Sequence, residues 1–349
     1  MTSNAAYIPT IDIGSLGSGR AEDLRQVADQ VGAAFTTSGF CYITNHGVDE
    51  GVIADAARVA LDFFHLPIEE KLKSAPKESV RGFNAIGRTQ MYGAAHPDYK
   101  EYYQIGLELP RDDPAVLAGQ PLRGPNQWPQ DMPQFEQALS AYYAEIGACG
   151  QRFLRAVAVS LGAPATFFAD KYDKPLQRTQ CVYYPPHPAD PKREMFGVAP
   201  HTDYGCVTLL WQDDVGGLEV QDLSGAWVPA PPIPGALVVN IGDLLARWSN
   251  DRYRSTPHRV TNRSGRERLS IATFYDPDYI SPVDASALGM ATPDTARYPV
   301  VSAGDYIIGR IRASQEAAAA ARAQAAGTPD LNDRTQSHSR AVQTEGRHP

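Results

Sequence analysis

Cysteine is scarce in this chain and nowhere clustered: Cys41, Cys149, Cys181 and Cys206 share no short spacing such as C-x-x-C. That excludes a cysteine-built zinc or redox motif, and a disulfide framework does not suit a chain of 349 residues. Basic runs are absent too, with 32 Lys+Arg against 40 Asp+Glu and a formal net charge of -8. A chain of that sign is not built to capture nucleic acid or an anionic membrane, so a small molecule is the expected partner. No apolar run reaches membrane-spanning length. Residues 1–9 lack the basic region and apolar core of a secretory signal, and there is no internal repeat, G-x-G-x-x-G or P-loop. The expectation is a soluble, reduced, cytoplasmic protein.

The first 175 residues read as mixed helix and strand. Ile8 to Ile13 alternates apolar and polar residues as a short strand does, and Phe40-Cys41-Tyr42-Ile43 predicts a second. Leu24, Val27, Val31 and Phe35 recur at helical spacing, Val52 to Phe64 forms a further helix candidate, and a long amphipathic helix is expected from about Met132 to Leu161. Between them, residues 75–130 are rich in Pro, Gly and charge and predict a long irregular excursion, of the kind that often carries function. From Thr179 the pattern changes to short β-rich runs: Gln180–Tyr184, Cys206–Trp211, Gly217–Val220, Ala226–Pro229, Ala236–Ile241, His258–Thr261 and Leu269–Tyr275. Such spacing suggests a sandwich or barrel rather than a parallel sheet. The core is placed at 176–302, an Ala-rich helix at 303–326, and a polar, disordered tail at 327–349, whose His338 and His348 are given no chemistry.

One constellation carries chemistry. In His201-Thr202-Asp203 the two outer residues are two apart and, on an extended segment, point to the same side. His258, in Ser255-Thr256-Pro257-His258-Arg259-Val260, is available as a third ligand. Two imidazoles and one carboxylate on one face leave positions open on the metal, the arrangement of non-haem iron(II) oxygenases. Arg268-Leu269-Ser270 follows, with its guanidinium and hydroxyl again on one face, a pairing suited to gripping a carboxylate. A dianionic 2-oxo acid could chelate the metal and offer its far carboxylate to Arg268. A second H-x-D, His96-Pro97-Asp98, lies in the irregular excursion with no third His and clamp after it, and is read as loop. His46 is read as a turn residue, and His187 lies among prolines.

These motifs, together with Ile8-Pro9-Thr10-Ile11-Asp12, Gly39 to Gly47, Tyr183-Tyr184-Pro185-Pro186, Gly216-Gly217-Leu218-Glu219-Val220 and Asn240-Ile241-Gly242-Asp243, resemble the 2-oxoglutarate/iron(II)-dependent dioxygenases of the isopenicillin N synthase-like branch. The resemblance covers most of the chain. It implies an α+β fold with a mainly β core, a distorted double-stranded β-helix (jelly roll) with flanking helices. Fe(II) would sit on His201, Asp203 and His258, with Arg268, Ser270 and Tyr184 around the far carboxylate of 2-oxoglutarate. It implies an oxidoreductase that uses O2 to hydroxylate, desaturate or cyclise a small molecule of secondary metabolism, releasing succinate and CO2. Many plant relatives carry Asn where this chain has Val182, so one cosubstrate contact is absent. The same resemblance puts the substrate among the excursion, the β-core and the C-terminal helix, with Arg88, Tyr92, Trp211 and Phe274 as candidates. The excursion and the C-terminal helix are placed where a lid would be.

Three rivals stay open at this point. Isopenicillin N synthase uses the same Arg-x-Ser for its substrate and needs no 2-oxoglutarate. Zinc also accepts two His and a carboxylate, although no H-E-x-x-H general-base motif is present. A non-catalytic binding protein could keep the fold.

Overall fold

The computed structural model describes residues 7–77, 80–90, 94, 96–186 and 195–327, with side chains through residue 320. Tyr92, His187 and the expected tail from residue 328 onward lie outside the described residues.

Strands β1 (Thr10–Asp12) and β2 (Phe40–Thr44) flank helix α1 (Ala21–Thr37), and α2 (Glu50–Phe64) and the short α3 (Ile68–Leu72) follow. Asp49 starts α2, its carboxylate accepting the amides of Gly51 and Val52 at 2.8 and 3.1 Å and so filling donors that the first turn leaves free. The stretch 75–130 is less irregular than its composition suggests. It supplies β3 (Gly82–Asn84), β4 (Glu101–Gly106) and the single-turn α4 (Pro114–Leu117). Pro133 then opens the long helix α5 (Pro133–Ser160), which buries Phe135, Leu139, Tyr142, Ile146 and Phe153.

The β-rich half follows as β5 (Arg178–Tyr184), β6 (Val198–His201), β7 (Val207–Gln212), β8 (Leu218–Gln221), β9 (Trp227–Pro229) and β10 (Leu237–Ile241). After α6 (Asp243–Trp248) come β11 (His258–Val260), β12 (Arg268–Tyr275), the small pair β13 (Pro282–Val283) and β14 (Val301–Ser302), and α7 (Ala303–Gly327).

The eight-stranded sheet runs β1-β2-β10-β7-β12-β5-β4-β3 and the four-stranded sheet runs β6-β11-β8-β9. Apart from the parallel β1–β2 edge, every pairing is antiparallel. The two sheets pack through Tyr42, Val182, Tyr184 and Val238 of the larger against Val198, Leu218, Val220 and Val260 of the smaller, giving the jelly roll. Four strands of the large sheet come from before residue 175.

Because side chains alternate across a strand, the large sheet has two distinct faces. Tyr103, Ile105, Cys181, Tyr183, Val207, Leu209, Leu269 and Ile271 enter the core shared with α1, α2 and α5. Their neighbours Tyr102, Gln104, Gln180, Val182, Thr208, Leu210, Ser270 and Ala272 face the opposite way, into a cavity between the sheets. Among the described residues, no helix is long and apolar enough to cross a membrane.

Candidate active site

His201 is the last residue of β6 and His258 the first of β11, and the two stand directly opposite each other in the antiparallel register. Their rings come within 4.3 Å, centroid to centroid. Asp203 lies beyond the end of β6, in the turn before β7, and is not on a strand as its spacing from His201 suggested. It nevertheless converges on the same point, with its Oδ1 3.8 Å from His201 Nε2 and 3.7 Å from His258 Nε2. Among the described residues, these three form the only group of His, Cys, Asp or Glu that could hold a metal ion.

Each of the three has its other polar atom engaged, which leaves one donor atom apiece for an ion. His201 Nδ1 is 2.8 Å from the Ala199 carbonyl and His258 Nδ1 is 3.2 Å from the Thr256 carbonyl, so each ring donates there and bares Nε2. Asp203 Oδ2 accepts Thr208 Oγ1 at 2.6 Å and Asn240 Nδ2 at 2.7 Å, leaving Oδ1. Burial, then the neighbouring His258, pushes His201 well below the usual imidazole range, which keeps it neutral and able to ligate. Burial alone would raise Asp203, but His258, His201 and the two hydrogen bonds outweigh it, and the carboxyl titrates below its ordinary value.

The turn that carries Asp203 is held from behind. The Asp203 carbonyl accepts the Asp243 amide at 2.7 Å, and the buried Asp276 accepts the Cys206 amide at 2.6 Å. A Cβ on Gly205 would overlap the Asp276 carboxylate, so the position requires glycine. Asn240 and Asp243 belong to a motif whose resemblance was legible in the sequence, but their work here, fixing Asp203 from two sides, was not.

Arg268 is 1% exposed. Its Nε donates to the Gly216 carbonyl at 2.6 Å, Nη1 to Ser270 Oγ at 3.2 Å and Nη2 to Gln212 Oε1 at 3.1 Å. The guanidinium lies 4.7 Å from the Tyr184 ring centroid, and Tyr184 is its cross-strand partner on β5. Among the described residues no carboxylate pairs with it. A buried cation held only by neutral groups is costly unless an anion joins it.

All six of these residues line one cavity of about 1100 Å³, together with Arg88 and Phe274. Trp211 does not. It sits on β7 between Leu210, which lines the cavity, and Gln212, which accepts from Arg268, so alternation turns its side chain to the helical core instead.

The second H-x-D resolves into structure. The buried Asp98 accepts the Ala199 amide at 3.1 Å and Thr89 Oγ1 at 3.2 Å, and its Oδ2 lies 3.6 Å from Lys100 Nζ. It ties the excursion to β6, the strand that ends in His201, while His96 is exposed. Asp98→Ala would strand the buried Lys100 and is expected to cost about 3–5 kcal/mol, measured by denaturant titration. A loss below about 1 kcal/mol, the level of a surface pair, would contradict this role.

Residues 175–277 match the 2OG-Fe(II) oxygenase superfamily, and residues 8–131 match the non-haem dioxygenase in morphine synthesis N-terminal region. The chain is 34% identical over 313 residues to the 2-oxoglutarate-Fe(II) type oxidoreductase hxnY of Emericella nidulans, covering 86% of this chain and 87% of that one. It is 33% identical to the homoarginine-6-hydroxylase 2-ODD-233 of rice, covering 89% and 98%. Among solved structures, a full-length Neurospora crassa protein in complex with alpha-KG and thymine superimposes with a TM-score of 0.77 at 30% identity, covering 88% of this chain and 96% of that one. The fold, the metal-binding geometry and these relatives converge: the chain belongs to the 2-oxoglutarate- and Fe(II)-dependent oxygenases, oxidoreductases that use Fe(II), 2-oxoglutarate and O2.

Proposed function

We propose that His201, Asp203 and His258 hold the Fe(II), that Arg268 with Ser270 grips the far carboxylate of 2-oxoglutarate beside Tyr184, and that a compact polar molecule is oxidised in the same cavity. The observation that carries this reading is Arg268, a buried cation facing the cavity of the metal cluster without a carboxylate of its own. The donor set fits iron: two imidazoles and one carboxylate, each with its second polar atom already occupied.

When bound, Fe(II) and 2-oxoglutarate supply the oxidising chemistry. That chemistry would consume O2 and release succinate and CO2. The chain's own part is to position and enclose. Asn240 and Thr208 hold Asp203 in one orientation, the Ala199 and Thr256 carbonyls hold the two rings, and the apolar Leu210, Val182, Val198 and Leu218 wall off water. A relative named for homoarginine and a neighbour that binds thymine support a small polar substrate. The cytoplasm is the proposed location, supported by four free, buried thiols.

The test is anaerobic addition of Fe(II) and 2-oxoglutarate, watching for the visible metal-to-ligand charge-transfer band, then oxygen with candidate substrates while following succinate. Absence of both band and succinate would overturn the assignment. Within it, Asn240→Ala is expected to weaken iron binding about 10–100-fold, as loss of an outer-shell partner does. Melting behaviour should stay near wild type, and an unchanged iron affinity would remove Asn240 from the site.

A further inference from the structure

The chain carries a net charge of -8, yet its cavity has the opposite sign. Besides Arg268, the lining includes Lys77, Arg88, Lys100, Arg123, Arg178 and Arg312, and its one carboxylate among the described residues is Asp203, the proposed iron ligand. Metal and cosubstrate account for Asp203 and Arg268. Asp98 lies 3.6 Å from Lys100 and Asp276 lies 2.9 Å from Arg178. Arg88, Arg123 and Arg312 have no carboxylate within ion-pair distance among the described residues. Cations concentrated in a cleft with apolar walls focus a field that draws in anions and repels amines.

Register locates the most informative of them. Arg178 on β5 stands opposite Phe274 on β12, and Phe274 stands opposite Thr208 on β7, the residue whose hydroxyl binds Asp203. Two strand spacings, about 10 Å, therefore separate Arg178 from Thr208 at the level of the metal ligands. Arg268 lies at the other end of β12, opposite Tyr184, so the two guanidinium groups mark different ends of the cavity wall. Arg178 lies 4.9 Å over the Phe274 ring and gives one terminal nitrogen to Asp276, while its Nε is buried without a hydrogen-bond partner. A guanidinium has five N–H donors, so one that gives a single hydrogen bond to a carboxylate and keeps Nε unpartnered can take a second acceptor. On the next rung Gln180 donates to Gln104 at 2.6 Å, and both line the cavity. Arg88 and Arg312 are exposed at its rim.

We propose that the substrate carries a carboxylate, received by Arg178 and drawn in by Arg88 and Arg312, with the carbon to be oxidised within about 10 Å of it. This rests on the iron and 2-oxoglutarate assignment above and adds the substrate class. An amine meets like charge at the rim, and an uncharged amide forgoes the ionic hydrogen bond at Arg178.

The test uses the full chain loaded with Fe(II) and 2-oxoglutarate, probed with matched acid, amide and amine forms of the same skeletons: 3-phenylpropanoate, 3-phenylpropanamide and 3-phenylpropylamine, and benzoate, benzamide and benzylamine. Perturbation of the charge-transfer band without oxygen and succinate release with it are the readouts. At least one acid should act at a concentration about tenfold or more below its amide, a gap of about 1.4 kcal/mol, and its amine should not act. Arg178→Gln should erase that gap while the band itself still forms with 2-oxoglutarate. Because Arg178 also holds Asp276, the double variant Arg88→Gln/Arg312→Gln gives a second measure that leaves the sheet untouched, and it should raise the acid's half-saturating concentration. Amides or amines acting as well as acids, silence from every acid, or an acid preference undiminished in the folded variants would each overturn the proposal. If the band never forms with 2-oxoglutarate alone, the cosubstrate assignment fails instead.

Discussion

Replacing Arg268 with Ala is expected to raise the 2-oxoglutarate needed for half-maximal turnover by a factor on the order of 10²–10³ while iron still binds. Truncating one partner of a buried, hydrogen-bonded charge pair costs about 2–5 kcal/mol, and each 1.4 kcal/mol is about tenfold in affinity. Arg268 satisfies the conditions for the upper part of that range, since it is 1% exposed and has no carboxylate of its own among the described residues. A second readout separates this role from a structural one. At a cosubstrate concentration 100 times its dissociation constant, the wild type should gain about 2.7 kcal/mol of stability, whereas the variant should gain almost nothing at the same concentration. The increment is the test, because the variant also loses the Gly216, Ser270 and Gln212 contacts whether or not cosubstrate is present. A variant with the wild-type increment would show that the carboxylate is held elsewhere.

His201→Ala is expected to abolish turnover and to weaken iron binding by more than the roughly 10–100-fold of an outer-shell change. Two donors would remain where the geometry provides three, and His258 and Asp203, 3.7 Å apart, do not enclose an ion between them. His96→Ala is the matching control. It removes the imidazole of the other H-x-D, which is exposed, and should leave iron content and turnover at wild-type levels. Iron measured by chelator colorimetry after desalting decides between them. A His201→Ala protein that retains one iron per chain would refute the metal assignment outright.

The parts of the site that lie in short local patterns were legible in the sequence. His201-x-Asp203 and Arg268-x-Ser270 are two-residue spacings, and His258 sits in a recognisable flanking run. What could not be read locally depends on register. Nothing near residue 201 indicates that His258 will stand opposite it, nor that Asn240 on β10 will reach Asp203. Trp211 is a cavity candidate by sequence because its strand lines the cavity, but one step along a strand reverses the face, and the residues on either side are the ones that point inward. Strand β6 is masked in the sequence because Pro200 interrupts it. Strand β4 is masked because both its faces are covered, Tyr103 and Ile105 by the helical core and Tyr102 and Gln104 by the cavity, which blurs the alternation that would announce a half-buried strand. Helix α6 spans only Asp243–Trp248, too short to show a period.

The two-faced large sheet has an evolutionary consequence. On β4, β5, β7 and β12, the residues packed against the helices and the residues facing the cavity occupy alternate positions of the same strands. Selection for stability and selection for specificity therefore act on separate sets of codons. A lineage could rewrite Gln104, Gln180, Ala272 or Phe274 to accept a new molecule while Tyr103, Cys181, Ile271 and Tyr275 keep the scaffold folded. The same separation gives a laboratory library its design: randomise Gln104, Gln180, Ala272 and Phe274, leave Tyr103, Cys181, Ile271 and Tyr275 alone, and most members should still fold.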